Sequence, residues 1–382
     1  MIQYGKQQIS AADIDAVVKI LKSEWLTQGP TVPCFEEAIA HYSGARYAVA
    51  VNSATSALHL ACLALGLGPG DRLWTVPNTF VASANCARYC GADIDFIDID
   101  PRTWNISITA LKDRLIEARQ MGNLPKVLCP VHFAGQAADQ EAIAGLAEEF
   151  GFRVIEDASH AIGATRSGER VGSCRWSDIT VFSFHPVKII TTGEGGMALT
   201  NQPDLAERMA LLRTHGINKD HAKMWDQNAG PWAYEQHELG FNYRLTDIQA
   251  ALGLSQLTRL DTWVMQRQSL AERYDILLDG LPCQRPTVSA ENRSAWHLYV
   301  IRVAAEHRRA VFESMRSAGV GVHVHYLPVH LQPYYRGLGF EPGHCPEAEA
   351  YGTEGLTLPL YPGLTEADQD QVVSALAKAL LG

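Results

Sequence analysis

Apolar and polar positions along this chain repeat with two different periods. Short apolar runs at Ala48–Val51, Arg72–Val76, Asp93–Ile97, Val127–Phe133 and Arg153–Glu156 read as strands. Between them, apolar side chains recur at the three- and four-residue spacing of helices. In Ala11–Ser23 the recurring residues are Ile14, Val17, Val18 and Leu21, and further helices are expected at Val32–Ser43, through NSATSALHLACLALGL to near Gly66, and at Ser83–Tyr89, Ile108–Gln120 and Asp139–Phe150. Strands alternating with helices predict an open, mostly parallel sheet covered by helices, an α/β architecture whose ligands sit beyond the carboxyl ends of the strands.

The pattern changes at 180–197, TVFSFHPVKIITTGEGGM. The apolar run Ile179–Phe184 enters a polar turn holding one lysine, Lys188, and the glycine-rich Gly193–Gly196 leads back into a second apolar run, Met197–Leu199. Lys188 is therefore expected at the rim of a buried sheet. A lysine there is open to two readings: a solvated side chain on a connection, or an amine in a dry cleft whose lowered pKa makes it nucleophilic enough to form a Schiff base.

Beyond this point Thr246 and Gln249 form the capping box of a long helix running toward Leu278, with a break at Leu281–Pro286. Strands at Ala295–Val303 and Val320–His325 and helices at His307–Ala318 and Asp368–Leu381 then describe a smaller α+β unit. A chain of 382 residues exceeds what one hydrophobic core usually spans. The expected division is a large domain over 1–250 and a connecting helix with a small C-terminal domain over 251–382.

Composition narrows the functions. Apolar residues make up 47% and charged residues 19%, as in a globular protein with a large core, and the formal net charge of −10 comes without any basic block. Nucleic-acid binding is disfavoured. No leader segment and no apolar run long enough for a bilayer is recognised, so no membrane partner is expected. The eight cysteines include no CxxC pair, and Cys62, Cys86, Cys90 and Cys129 read as small hydrophobes, which suits a reduced, cytoplasmic setting.

Three candidate sites fall at strand ends: Phe80 after Arg72–Val76, Asp157 after Arg153–Glu156, and Ser183 with Lys188 after Ile179. The small residues Ser53, Ala54 and Thr55 open an apolar helix, where unpaired N–H groups either hold a phosphate or are simply capped. Neither GxGxxG nor GxxxxGK[ST] occurs, so a dinucleotide fold or a P-loop is not signalled. If Lys188 anchors an aldehyde cofactor, an acidic group is needed at a pyridine nitrogen, and Asp157 is the natural candidate. His160 in DASH can orient that carboxylate or serve structurally.

Several segments together carry a resemblance: WLTQGP at 25–30, NSATSALHLA at 52–61, PNTFVASANC at 77–86, IEDASHAIGA at 155–164, FSFHPVKIITTGEGG at 182–196, GFNYRLTDIQAALG at 240–253 and HVHYLPVHLQPYY at 323–335. With these the chain resembles the DegT/DnrJ/StrS family of pyridoxal-phosphate sugar aminotransferases. The resemblance implies the aspartate-aminotransferase type of fold, with Lys188 as the cofactor-anchoring lysine, Asp157 at the pyridine nitrogen and Phe80 stacked on the ring. Ser183, Ala54 and Thr55 would hold the phosphate, His160 would lie beside the cofactor, and Asn242 would reach the phosphate in the neighbouring subunit. A homodimer with active sites at the subunit interface is thereby expected. Thr27, Arg213, His323, His325 and Tyr326 would line the sugar side.

SATSALHLACLALGLGPGD, the proline of SFHPVK and HYLPVHLQPYY further resemble members that aminate carbon 4 of a UDP-linked 4-keto-6-deoxy-N-acetylhexosamine, with glutamate as donor and UDP-4-amino-4,6-dideoxy-N-acetyl-β-L-altrosamine as product. Another nucleotide-linked keto sugar, 3-keto or dTDP-linked, is the alternative within the family. Outside it stand a metallohydrolase using His323, His325, His330 and His344, and a non-enzymatic binding protein. No metal site is expected, because no HExxH or other ligand-spaced motif occurs.

Overall fold

The computed structural model describes residues 1–382. Its centre is a seven-stranded sheet with spatial order Tyr47–Val51, Gly196–Thr200, Ile179–Ser183, Arg153–Asp157, Val127–Cys129, Arg72–Thr75 and Asp93–Phe96. The last five of these run parallel, with helices on every connection among them except Asp157 to Ile179, which carries the short strands Thr165–Arg166 and Glu169–Arg170, whereas Gly196–Thr200 is antiparallel to both of its neighbours. The reason is local. Only twelve residues separate Ser183 from Gly196, and this irregular connection carries no crossover helix, so the chain turns back beside the strand it has left.

Helix starts follow the side chains that can bond free N–H groups. Ser53 accepts from Ser56 N–H, Asp139 from Ala142 N–H, and Ser10 and Thr246 form capping boxes with Asp13 and Gln249. The expected long helix from Thr246 is in fact two, Asp247–Leu257 and Leu260–Leu277, parted at Thr258 and Arg259. The break turns the Arg259 guanidinium onto the buried carboxylate of Asp13 at the start of the Ala11–Leu21 helix.

The C-terminal unit is a smaller α+β domain in which Tyr299–Arg302 pairs antiparallel with Gly355–Leu358 beneath the Ala305–Ser317 and Glu366–Leu381 helices. Its own core contains Tyr274, Tyr299, Ile301, Val311, Leu356 and Val372. Val320–His325 is not a strand. It runs extended, touching neighbours only through single bridges at Val320 to Ile2 and His323 to Thr357. Its apolar residues Val320 and Val322 are buried in the core of this small domain without forming a ladder. No helix of the chain is long and apolar enough to cross a membrane.

Candidate active site

Asp157 ends its strand beside Val181, in parallel register with Ile179–Ser183, so Asp157 and Ser183 emerge from neighbouring central strands at the carboxyl end of the sheet. Side chains alternate along a strand, which sends Glu156 the other way. Glu156 is buried against Gln140 and Thr180, and Asp157 faces a cavity of about 450 Å³.

That cavity gathers Ala54, Thr55, Phe80, Asp157, His160, Ser183, Lys188, His323, His325 and Tyr326, ten of the residues singled out in the sequence. Lys188 is partly accessible from it. Burial pushes the amine down to about 8, against the opposing pull of the Asp157 carboxylate. Asp157 is held rigidly: the Ser83 hydroxyl donates to one carboxylate oxygen at 2.6 Å, and the Ser159 N–H donates to the other at 3.1 Å.

At another wall the helix Ala54–Ala64 points its N-terminus into the cavity, with Ser53, Ala54 and Thr55 on the lining. Gly196 packs so closely there that an added Cβ would lie 2.4 Å from Ala54 N. This makes a cradle of backbone N–H groups at a positive dipole end, completed by the Ser183 hydroxyl, and its chemistry suits a phosphate. An amine of lowered pKa, a fixed carboxylate, an anion cradle and the half-exposed Phe80 ring are the donor set that a phosphorylated pyridine aldehyde requires. The residues present fit the cofactor.

Three expected site residues are not brought to this cavity. Thr27 and Asn242 are exposed, Thr27 bridging to Thr246 and Asn242 to Thr214. Arg213 is spent inside the fold, donating to the Ala50 carbonyl at 2.6 Å and pairing with Glu36. Nor do the four C-terminal histidines meet around a common point: His323 and His325 stack at 4.6 Å, while His330 bonds Glu349 and His344 bonds Asp95.

The cavity also holds Tyr4, Thr79, Ser159, His185 and His297, which sequence reasoning missed. Tyr4 packs against both His323 and His325 at 5.2 and 5.3 Å. His297 lies 4.6 Å from His160, and its position is set by the buried Arg267, which donates to the carbonyls of Trp296, His297 and Leu360. The histidine in AWHLYV was the only available signal for it.

Comparisons with known proteins agree with this geometry. Residues 7–377 match the DegT/DnrJ/EryC1/StrS aminotransferase family. GDP-perosamine synthase of Caulobacter vibrioides is 38% identical, with 100% of this chain and 98% of that protein aligned. Among solved structures, the PLP-form of the putative sugar aminotransferase Spr1654 from Streptococcus pneumoniae superposes with a TM-score of 0.89 at 28% identity, covering 99% of this chain and 98% of that one. Helicobacter pylori PseC, an aminotransferase involved in the biosynthesis of pseudoaminic acid, superposes with a TM-score of 0.90 at 29% identity, covering 99% of both chains. The chain belongs to the DegT/DnrJ/EryC1/StrS aminotransferase family and is a pyridoxal-phosphate-dependent aminotransferase of a nucleotide sugar.

Proposed function

We propose that this enzyme moves the amino group of L-glutamate to carbon 4 of a UDP-linked 4-keto-6-deoxy-N-acetylhexosamine, giving UDP-4-amino-4,6-dideoxy-N-acetyl-β-L-altrosamine in two half-reactions that share one site. The observation that carries the chemistry is the single cavity containing both Lys188 and Asp157. Bound there, pyridoxal phosphate supplies the electron-withdrawing ring and carries the amino group between substrates. Lys188 anchors the cofactor and, once its amine is free, takes a proton from one carbon and returns it at another. A base titrating near neutrality suits both directions. Asp157, fixed by Ser83 and Ser159, faces the ring nitrogen, while Ala54, Thr55 and Ser183 hold the phosphate and His160 lies beside the ring. Tyr4, His323, His325 and Tyr326 bound the sugar side.

The choice of sugar rests on the segments at 53–71 and 325–335 and on the likeness to the Helicobacter enzyme. A second reading, another nucleotide-linked keto sugar, is favoured by the higher identity to GDP-perosamine synthase. Incubating the holoenzyme and glutamate with UDP-, GDP- and dTDP-linked 4-keto and 3-keto sugars tests both. Amination of the UDP-linked carbon-4 ketone alone is expected, and turnover confined to any other member overturns the choice.

We also infer a homodimer with shared sites. Ile14, Val18 and Leu21 leave an apolar stripe exposed on the Ala11–Leu21 helix, next to exposed Trp25 and Leu26. Thr27, which follows Leu26, and Asn242 are exposed and outside the cavity of their own chain, and we assign both to the site of the partner. Mixed dimers of the Lys188→Ala and Asn242→Ala proteins should regain roughly a quarter of wild-type activity, by the binomial pairing of a C2 dimer. No recovery on mixing would overturn the shared site.

A further inference from the structure

One wall of the cavity is crowded with groups able to give or take a hydrogen: Tyr4, His160, His297, His323, His325 and Tyr326. The hydrogen-bond directions of two of them are fixed. The Ala134 N–H donates to His160 Nδ1 at 3.3 Å. A backbone N–H can only donate, so Nδ1 carries no hydrogen. Burial, with Lys188 and His325 nearby, pushes the pKa of His160 well below the usual histidine range, and the neutral ring therefore keeps its one hydrogen on Nε2.

That Nε2–H meets Tyr326 Oη at 3.2 Å, the only hydrogen bond the phenol makes within the protein. Tyr326 is thus the acceptor in this pair, and its own hydrogen is unspent. Burial raises its pKa, so the hydroxyl stays protonated across the working range. The ring is also locked in place. It lies nearly parallel to His160 with 6.1 Å between centroids and meets His325 edge-on at 5.0 Å, and the Tyr326 N–H donates to Asn78 Oδ1 at 3.4 Å.

An oriented hydroxyl with an uncommitted hydrogen on a cavity wall calls for an acceptor. A keto sugar presents several oxygens that accept without donating, and among them the ketone oxygen is the one that gains negative charge when an amine adds to its carbon. We propose that Tyr326 is a catalytic residue that donates a hydrogen bond to the keto oxygen of the nucleotide sugar, and that His160 is the positioning residue that aims it by filling its acceptor side. This inference rests on the assignment of a keto sugar as substrate.

Binding to the holoenzyme in its aldehyde form separates the proposal from that assignment, because a ketone binds there without reacting. Calorimetric titration with the keto sugar, and with the analogue bearing CH2 in place of C=O, should show Tyr326→Phe weakening the ketone about tenfold and the analogue less than about twofold. Equal losses for both ligands, or none for the ketone, overturn the role of Tyr326. If wild-type enzyme binds no nucleotide keto sugar, the substrate assignment falls and takes this proposal with it. In Tyr326→Phe the half-reaction with the sugar should slow about a hundredfold and by more than the half-reaction with glutamate, and equal slowing of both overturns the role of Tyr326.

For His160, Gln offers an amide that can donate to Tyr326 and a carbonyl that can accept from Ala134, whereas Leu offers neither. His160→Gln should keep the preference for ketone over analogue and His160→Leu should lose it. Nitrogen-15 shifts of the wild-type histidines give a readout that needs no variant: the hydrogen of His160 is expected on Nε2, and finding it on Nδ1 overturns the aiming mechanism.

Discussion

The hydroxyl of Ser83, on the Ala82–Tyr89 helix, donates to Asp157 at 2.6 Å and ties the carboxylate at the end of a central strand to a helix packed over the sheet. Both groups are buried, so removing the donor leaves an ionised oxygen short of a partner. Ser83→Ala should lower stability by about 1.5–3 kcal/mol and weaken cofactor binding, read by denaturant unfolding and by titration of the visible cofactor band. Unchanged cofactor affinity would mean that the Ser159 N–H alone fixes the carboxylate.

Lys188 should control how the cofactor-free protein captures pyridoxal phosphate. Its pKa sits near 8 because burial disfavours the charged amine. About a tenth of it is then neutral at pH 7, compared with fewer than about one in a thousand for an ordinary lysine. Capture, followed by the growth of a borohydride-sensitive absorbance band, should accelerate about tenfold per pH unit and level off above about pH 8. A plateau reached only above about pH 10 would show that the amine is not desolvated.

The same depression predicts a stability effect of definite sign. The unfolded chain holds this proton up to the ordinary lysine pKa of about 10.4, while the folded protein releases it near 8. Lys188 therefore destabilises the cofactor-free fold fully below pH 8, and the penalty is relieved as pH rises through that window. Lys188→Met should be more stable than wild type at pH 7 and lose that advantage by about pH 10.5, and it should form no borohydride-sensitive band.

Gly196 has no room for a side chain: a Cβ would lie 2.4 Å from Ala54 N and 2.6 Å from Ser53 O. Gly196→Ala should push away the start of the Ala54–Ala64 helix and open the phosphate cradle, at a cost of about 1–3 kcal/mol in stability. Binding of pyridoxal phosphate should suffer more than that of the unphosphorylated aldehyde, a comparison that isolates the cradle from a general loss of folding.

Asp13 contributes to the acid limb of stability. Its burial acts to raise the pKa, yet the hydrogen bonds from Arg259 and Ser10 overcome this and hold it at about 2. The stability it confers is present above the ordinary aspartate value of about 3.9 and is lost as pH falls from there toward 2. Asp13→Asn should flatten the unfolding curve in that window, and an unchanged curve would assign acid unfolding to other carboxylates.

Much of the large domain was legible because its signals are local. Apolar runs and helical spacing marked the strands and helices of the sheet to within a few residues, and Lys188, Asp157 and Ser183, which line one cavity, could be singled out because strand ends are visible as changes of period. Where the outcome depended on a distant partner, the sequence misled. The helix from Thr246 breaks at Thr258 and Arg259, where the guanidinium meets Asp13 from far away in the chain. Val320–His325 alternates like a strand but makes only single bridges, to Ile2 and Thr357, and Arg213, expected on the sugar side, is held by Glu36 and the Ala50 carbonyl.

By itself, then, the sequence determined the α/β class, the capped helix starts, the turn that carries Lys188 and the family, since periodicity, capping and motif are properties of neighbouring residues. Only the tertiary structure decided that Tyr4 and His297 line the cavity and Ser83 bonds Asp157, that His160 lies within hydrogen-bond distance of Tyr326, and that burial lowers the pKa of Lys188. Desolvation and hydrogen-bond direction depend on which groups surround an atom in space, and those groups come from parts of the chain hundreds of residues apart.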